Sequence, residues 1–373
     1  MNIFVDCANY FARGSINLGD VAILRAMRNR LNDLFPHATV FVFTAAPDAI
    51  KCLVPRVVPV KITDAHVRDS NPIYARSVVN ALKNADMVLL SGGGFFSDHF
   101  ASHAASLLET LALAQAKSIP TAIMFAGFEP VQNAALCATA RSVLPKIDLV
   151  GCRERLVSPR VIESFGVNAQ NVAIGGDDAI EIAYAVPPGD PGTMIGFVLR
   201  QSEYSGVDGA IAGRVAAAVA RAATRLRRKL VVLPTNLGLP SDVEVSREAL
   251  ATVHVSAAGP RSDSLESLFA AIDRCRFVVT GAYHTGVFAL SRGRPVIALA
   301  GNRHYGVKFR GLAAHFGVGC DVIDLDDEFE PKLVEAIAAA ENAAESLGPA
   351  TTAVASKHLA TQRALWDRLR ALR

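Results

Sequence analysis

Short apolar runs alternate with stretches of helical periodicity along nearly the whole chain. In the first half, five of these runs have the length and composition of buried strands in a parallel sheet. These predicted strands are Asn2–Asp6, Thr39–Thr44, Met87–Ser91, Thr121–Phe125 and Ile147–Gly151. The predicted helices between them are Asp20–Phe35, Tyr74–Lys83, His103–Lys117 and Ser158–Phe165. This alternation of strand and helix predicts a Rossmann-like domain with right-handed crossovers.

The alternation is interrupted by Val186–Gly192, which holds three prolines and two glycines in seven residues. Such a segment cannot form regular structure, and we interpret it as the linker between two domains. Beyond it, the predicted strands are Met194–Leu199, Leu230–Pro234, Val253–Val255, Phe277–Thr280, Val296–Ala300 and Val322–Leu325. An Ala-rich helix at Pro331–Leu347 and a closing helix at Thr351–Arg373 complete the pattern.

A length of 373 residues exceeds that of one ordinary domain. The expected fold class is α/β and GT-B-like, with two Rossmann-like parallel-sheet domains and an interdomain cleft. We expect an N-terminal domain at residues 1–186 and a C-terminal domain at residues 187–350. Residues 351–373 are expected to form a C-terminal helix that can pack back on the N-terminal domain.

Composition narrows the class of protein. Apolar residues make up 51% of the chain and charged residues 20%, which allows two full cores and disfavours disorder. The formal net charge of +3 is small for this length and argues against nucleic-acid binding, which needs a concentrated basic face. Six cysteines lie far apart without metal-ligand spacing, which is typical of free thiols in a reducing compartment.

The amino terminus enters a predicted strand at once, without the basic region and long apolar segment of a signal peptide. Elsewhere, no window reaches the roughly eighteen apolar residues that a transmembrane helix needs. We therefore expect a cytoplasmic protein without a membrane span, able to act at the inner membrane face on a membrane-bound substrate.

The segment Thr280–Gly317 combines a histidine with several cationic groups. His284 closely follows a short β-branched strand, and ligands of open parallel sheets bind at the carboxyl ends of strands, where the loop Asn302–Lys308 should also lie. A group that titrates near neutral pH beside donors for an anion suggests chemistry on an anionic substrate, so His284 is the candidate catalytic residue. Its alternative is a structural histidine. The candidate substrate-binding residues of this segment are Tyr283, Arg303, Tyr305 and Lys308, with surface positions as the alternative for Tyr305 and Lys308.

Three successive glycines, Gly92, Gly93 and Gly94, directly follow an apolar strand and precede a predicted helix. Glycines let backbone N–H groups approach a ligand, and a helix amino terminus adds partial positive charge, so this loop suits a phosphate or carboxylate. The alternative is a tight turn in which Ser97 or Asp98 caps the helix.

Several charged or polar residues are further candidates at predicted strand ends. Asn17 and Asp20 follow the first strand, where they would line a binding site or, for Asp20, cap the first helix. Asp178 is a candidate base or helix cap. Arg153 follows the strand that ends at Gly151, as a clamp for an anion or as the partner of Glu154 or Glu163 in an ion pair.

The ordered set of motifs resembles the polysaccharide pyruvyl transferase family from about Asn17 to Gly317. The motifs are the early NLGD, the triple glycine, CRERLVS, GDDA and the Tyr283-His284 unit with a lysine downstream. By this resemblance, His284 corresponds to the histidine of the family's Arg-Leu-His element, Arg153 to the arginine of its RE/RD–Ser element, and Lys308 to its later lysine. One departure is Ala282, which stands where the family usually has arginine.

The resemblance implies a GT-B-like enzyme that moves the enolpyruvyl unit of phosphoenolpyruvate to a sugar or lipid-linked saccharide. His284 would be the general acid, and Asp20 or Asp178 would accept the hydroxyl proton. Arg303, Arg294 or Lys308 would replace the missing arginine. No cofactor and no metal are expected. The alternatives are a glycosyltransferase with a nucleotide-sugar donor and a binding module without chemistry.

Overall fold

The computed structural model describes residues 1–7, 16–61, 78–238, 240–254 and 263–372. The chain divides into two compact units, each an α/β unit with a parallel sheet. Unit 1 consists of Met1–Ile16, Asp20–Asp178 and Leu359–Arg373, and unit 2 of Asn17–Gly19 and Ala179–His358. Two Rossmann-like sheets confirm the predicted GT-B-like fold class.

The strands of unit 1 are β1 (Asn2–Asp6), β2 (Thr39–Thr44), β3 (Val58–Lys61), β4 (Met87–Leu90), β5 (Gly93–Phe96), β6 (Thr121–Phe128), β7 (Leu149–Cys152) and β8 (Val172–Ile174). The helices are α1 (Leu18–Leu34), α2 (Pro47–Leu53), α3 (Ala101–Gln115), α4 (Ala134–Val143) and α5 (Ser158–Ser164). The order β3-β2-β1-β4-β6-β7-β8 forms one sheet, with β5 paired to β6. Fully buried strand residues such as Leu90 and Ile123 share a core with Leu108 of α3. Because these strands are buried, their sequences are continuous apolar runs.

The strands of unit 2 are β9 (Met194–Val198), β10 (Leu230–Val232), β11 (Cys275–Thr280), β12 (Val296–Ala300) and β13 (Cys320–Asp324). The helices are α6 (Ala179–Ala185), α7 (Gly209–Leu226), α8 (Asp242–Ala251), α9 (Leu265–Asp273), α10 (Tyr283–Ser291), α11 (Arg303–Phe316) and α12 (Phe329–Arg370). Residues of α12 from Leu359 onward belong to unit 1. The sheet order is β10-β9-β11-β12-β13, and its pairings are parallel. The carboxyl ends of β9, β11 and β12 therefore lie side by side.

The predicted linker Val186–Gly192 is irregular, yet it belongs to unit 2, and the division of the chain falls between Asp178 and Ala179. Two buried arginines hold the segment in place. Arg292 Nη1 donates to the carbonyl oxygen of Val186 at 2.9 Å, and Arg294 Nη2 donates to that of Gly189 at 2.7 Å. Charge-assisted bonds to these carbonyls attach the segment to the second unit.

The two separate helices predicted at the carboxyl end are one 42-residue helix, α12, which contains Pro349. Proline usually ends or kinks a helix, which is why the sequence suggested a break. Gly348 packs against the backbone of Gly293. The hydroxyls of Thr351 and Thr352 donate to the carbonyl oxygen of Gly348 at 3.0 and 2.9 Å. These contacts accompany continuation of the helix through the proline.

Two further predictions differ from the structure or lie partly outside it. Val253 and His254 form a turn after α8 rather than a strand, and Val255 lies outside the described residues. Of the predicted helix Tyr74–Lys83, positions 74–77 also lie outside them. Among the described helices, none is both long enough and apolar enough to cross a membrane.

Candidate active site

His284 lies in the first turn of α10, immediately beyond the carboxyl end of β11. The ring is 8% exposed and is packed among aromatic side chains. Its centroid is 5.4 Å from that of Tyr283, edge to face, and 6.3 Å from that of Phe288. On another side lies Gly19, where an added Cβ would be 1.9 Å from His284 Nδ1. The imidazole is thus held at the carboxyl edge of the unit 2 sheet.

The amino terminus of α10 has no side-chain cap. Ala282 is the N-cap residue, is 1% exposed, and its side chain offers no acceptor for the first amides of the helix. Thr280 Oγ1 instead accepts a bond from the Ala282 N–H at 2.9 Å. A helix terminus without a side-chain acceptor carries partial positive charge and can favour an anion at the strand edge.

The prediction of a loop at Asn302–Lys308 is wrong, because α11 begins at Arg303. Asn302 caps this helix by accepting a hydrogen bond from the Tyr305 N–H at 3.0 Å. Arg303 is exposed at the first helical position. Tyr305 is 4% exposed, and burial raises the pKa of its phenol. Lys308 Nζ lies 5.4 Å from the centre of the Tyr305 ring, within cation–π range. Tyr305 therefore supports Lys308, and its role toward substrate stays a prediction.

Sequence reasoning missed Arg200 and Tyr204, which follow β9 at the same sheet edge. Arg200 Nε and Nη2 bind the two oxygens of the buried Asp242 carboxylate at 2.7 and 3.0 Å. Tyr204 is half-buried, with its ring nearly parallel to that of Tyr305 at 6.4 Å between centroids. The signal was available, because Arg200 stands at a strand end in the same way as Arg153.

Arg294 does not lie where a replacement for the missing arginine is needed. It precedes the amino end of β12, at the edge of the sheet opposite to that of His284. Its guanidinium is 3% exposed and donates to carbonyl oxygens of Arg292 and Gly189 at 3.0 and 2.7 Å. This geometry corrects the expectation for Arg294 and leaves Arg303 and Lys308 as the candidates.

In unit 1, Arg153 is 5% exposed, and its Nη1 lies 3.6 Å from Asp177 Oδ2. The predicted partners Glu154 and Glu163 are therefore not the ones that the structure pairs with it. Glu154 instead accepts bonds from backbone N–H groups, including that of Val157 at 2.9 Å, just before α5. Gly127 makes room for Arg153, since an added Cβ would lie 2.6 Å from its Nε. Arg153 is a buried, paired arginine whose role toward substrate stays a prediction.

The predicted carboxylates of the site occupy different surroundings. Asp178, 1% exposed, follows the Arg153 partner in sequence and precedes α6. Asp20 is the third residue of α1 and so is not its N-cap; Asn17 Oδ1 accepts a bond from the Gly19 N–H at 2.9 Å. Burial, with Asp6 and Asp20 nearby, raises the pKa of the Cys7 thiol well above its usual range. Asp20 therefore lies in an acidic region at the end of β1.

The triple glycine does not lead directly into a helix terminus. Gly93 and Gly94 form the start of β5, and α3 begins only at Ala101. Gly92 lies against β6, where an added Cβ would be 3.1 Å from the carbonyl oxygen of Met124. Close strand packing explains glycine at position 92, and the distance to α3 corrects the expectation of a loop at a helix terminus. A role of the triple glycine toward substrate stays a prediction.

Two Rossmann-like parallel sheets, with a histidine at the carboxyl edge of the second, place the chain in the GT-B-like fold class. The model of the polysaccharide pyruvyl transferase family matches residues 17–303, and the chain belongs to this family. Among curated proteins, none matches the chain.

Solved structures share the fold. Anabaena Alr3699/HepE in complex with UDP has a TM-score of 0.63 and 14% identity, with 99% of each chain covered. A glycosyltransferase from Rickettsia africae has a TM-score of 0.62 and 12% identity, covering 100% of this chain and 97% of its own. UDP-GlcNAc 2-epimerase from Neisseria meningitidis, bound to UDP-GlcNAc, has a TM-score of 0.59 and 12% identity, covering 97% and 99%. At these identities the likeness shows the fold alone.

Proposed function

We propose that the protein transfers the enolpyruvyl unit of phosphoenolpyruvate to a sugar and forms a cyclic pyruvate ketal during the synthesis of a cell-surface polysaccharide or exopolysaccharide. The observation that carries the proposal is the position of His284, packed in the first turn of α10 at a sheet edge that also carries cations. Family membership supports the same reaction class.

The chemistry assigns His284 the role of general acid. A proton moves from its imidazolium to C3 of phosphoenolpyruvate, and positive charge develops at C2, which the attached oxygen stabilises. An acceptor hydroxyl then adds to C2 and gives up its proton, with Asp20 and Asp178 as the proposed acceptors. A second hydroxyl of the sugar then adds to C2 as the C2–O bond to phosphate breaks. Its proton goes to the departing phosphate, which leaves as inorganic phosphate, and the ketal remains.

The donor carries a phosphate and a carboxylate, and both charges need partners. We assign this work to the uncapped amino terminus of α10, to Lys308 and to Arg303, which together replace the arginine absent at Ala282. Lys308 is half-buried over Tyr305, and Arg303 is exposed at the first position of α11. Arg153, Asn17 and Tyr283 are proposed to bind or orient substrate.

A second candidate is transfer of a sugar from a nucleotide-sugar donor. Ala282 favours it, because the departure removes the arginine expected for phosphoenolpyruvate, and a helix terminus with one lysine can hold a diphosphate. The similar fold of HepE, solved with UDP, is compatible with it. Either donor would serve an acceptor sugar or lipid-linked saccharide at the inner membrane face.

Ligand-induced thermal shift separates the two donors. Phosphoenolpyruvate at a hundredfold excess over its Kd should stabilise the protein by about 2.7 kcal/mol and raise the Tm by about 5–10 °C. UDP-, GDP- and CDP-sugars should leave the Tm unchanged, with inorganic phosphate as the control for simple anion binding. A rise with one nucleotide sugar and none with phosphoenolpyruvate would replace the proposal by the second candidate.

A further inference from the structure

Asn17 and the first two residues of α1, Leu18 and Gly19, form a short segment that we call the Asn17–Gly19 turn. Its Gly19 packs on the side chain of His284, which is far away in sequence. The nearest atoms to an ideal Cβ on Gly19 are His284 Nδ1 at 1.9 Å and Cγ at 2.0 Å. Real Cβ atoms do not approach heavy atoms this closely, so this close packing requires glycine at position 19. The contact lies on the Nδ1–Cγ side of the imidazole, and Nε2 is farther from the added Cβ than these atoms are.

The turn is attached to the end of β10 by backbone hydrogen bonds. The Leu18 N–H donates to the carbonyl oxygen of Thr235 at 2.8 Å, and Asn17 forms an antiparallel bridge with Asn236. Within the turn, Asn17 Oδ1 accepts the Gly19 N–H at 2.9 Å. These bonds fix the backbone of Gly19 relative to unit 2.

The segment that receives the turn is itself fixed by one buried carboxylate. Asp242 Oδ2 accepts bonds from the N–H groups of Thr235 and Asn236 at 2.9 and 2.7 Å. The same carboxylate receives the two guanidinium bonds of Arg200. The hydroxyl of Thr285, next to His284 on α10, donates to the carbonyl oxygen of Leu233 at 3.2 Å. The loop after β10 therefore holds both the turn and the helix that carries the histidine.

We propose that the Asn17–Gly19 turn is a positioning element for His284, which fixes the ring from its Nδ1 side so that Nε2 delivers the proton. The assignment of the proton transfer rests on the proposed function, whereas the packing of the ring does not. Gly19 acts through His284 and is a positioning residue. Asn17 caps α1 through the Gly19 N–H, so the same short segment both begins the helix and packs on the imidazole.

Replacing Gly19 with Ala tests the proposal. Alanine favours a helix more than glycine does, so α1 itself should not be weakened. The methyl group must push the imidazole aside, and a displacement of about 1 Å can lower turnover by about a hundredfold. We expect kcat to fall by about ten- to a hundredfold while the Kd of phosphoenolpyruvate changes by less than about threefold. The matched control is Gly209→Ala at the first position of α7, where an added Cβ meets nothing within 4 Å.

A readout independent of activity keeps this proposal separate from the proposed function. In protein with ¹⁵N-labelled histidine, the ring resonances of His284 should shift in Gly19→Ala and stay in place in Gly209→Ala. If wild-type protein turns over no phosphoenolpyruvate, the reaction is wrong, and the resonances still decide whether the turn positions the ring. Unchanged resonances, or shifted resonances with full turnover, would overturn the positioning role.

The double variant Gly19→Ala/His284→Ala covers the case in which the single variant folds poorly. Removing the imidazole frees the space that the methyl group needs. Gly19→Ala should therefore lower the Tm of the wild-type protein but leave the Tm of His284→Ala nearly unchanged. An equal loss of Tm in both backgrounds would show that Gly19 does not act on His284.

Discussion

Replacing His284 with Gln should lower kcat by a factor of about a hundred or more and leave the protein folded. Glutamine is close to histidine in size and keeps hydrogen-bonding capacity in a site that is 8% exposed. It cannot deliver a proton near neutral pH, so the step that protonates C3 of the donor loses its acid. The Kd of the donor should change little, because the proposed anion partners are α10, Lys308 and Arg303. The measurement is steady-state turnover of phosphoenolpyruvate together with a thermal unfolding curve.

The matched control for this variant is His315→Gln. His315 is also a buried histidine, 4% exposed, at the far end of α11 and stacked on His358 with 3.7 Å between ring centroids. It has no part in the proposed chemistry, so turnover per folded molecule should stay near the wild-type value. Equal losses in the two variants, or full turnover by His284→Gln, would remove the acid role from His284.

Replacing Arg292 with Gln should lower the free energy of unfolding of unit 2 by about 3–5 kcal/mol and its Tm by about 6–20 °C. Arg292 is 1% exposed, and its Nε binds Asp273 Oδ1 at 2.8 Å. Its Nη1 donates to the carbonyl oxygens of Ala183 and Val186 at 2.8 and 2.9 Å. Glutamine is too short to make all of these bonds, so the Asp273 carboxylate loses a close partner and buried carbonyl groups lose their donors.

Differential scanning calorimetry measures this loss, because two units can unfold in separate transitions. Arg225→Gln is the control, since Arg225 lies exposed on α7 and surface substitutions usually change stability by less than about 0.5 kcal/mol. A Tm for Arg292→Gln within 2 °C or so of the control would contradict the anchoring of Val186–Gly192 to unit 2.

Local patterns predicted the buried strands well. The bounds of Asn2–Asp6 and Val296–Ala300 agree with β1 and β12 because an apolar run flanked by polar or turn residues marks a buried strand directly. The break predicted in α12 was wrong, since packing around Gly348 accompanies the helix through Pro349. The sequence predicted an interdomain linker at Val186–Gly192 because this segment is irregular. No local pattern shows that Arg292 and Arg294, about a hundred residues later, attach the segment to unit 2.

The candidate site was predictable to the extent that it follows strand ends. His284 was identified from its position after β11, and Arg200 could have been found by the same argument after β9. The assignment of Asn17–Gly19 to unit 2 could not be predicted, because it depends on backbone bonds to Thr235 and Asn236, more than two hundred residues away. The partner of Arg153 was missed for the same reason: sequence proximity favoured Glu154, and the fold brings Asp177 instead.

Solvent isotope incorporation is the sharpest test of whether the protein protonates C3 of phosphoenolpyruvate on the way to a ketal. The reaction is run in D₂O with phosphoenolpyruvate and acceptor sugars, and the product is analysed by mass spectrometry and ¹H NMR. We expect a pyruvate ketal whose methyl group carries one deuterium, released together with inorganic phosphate and absent with His284→Gln. A sugar adduct formed only from a nucleotide sugar, or a ketal methyl group without deuterium, would contradict it.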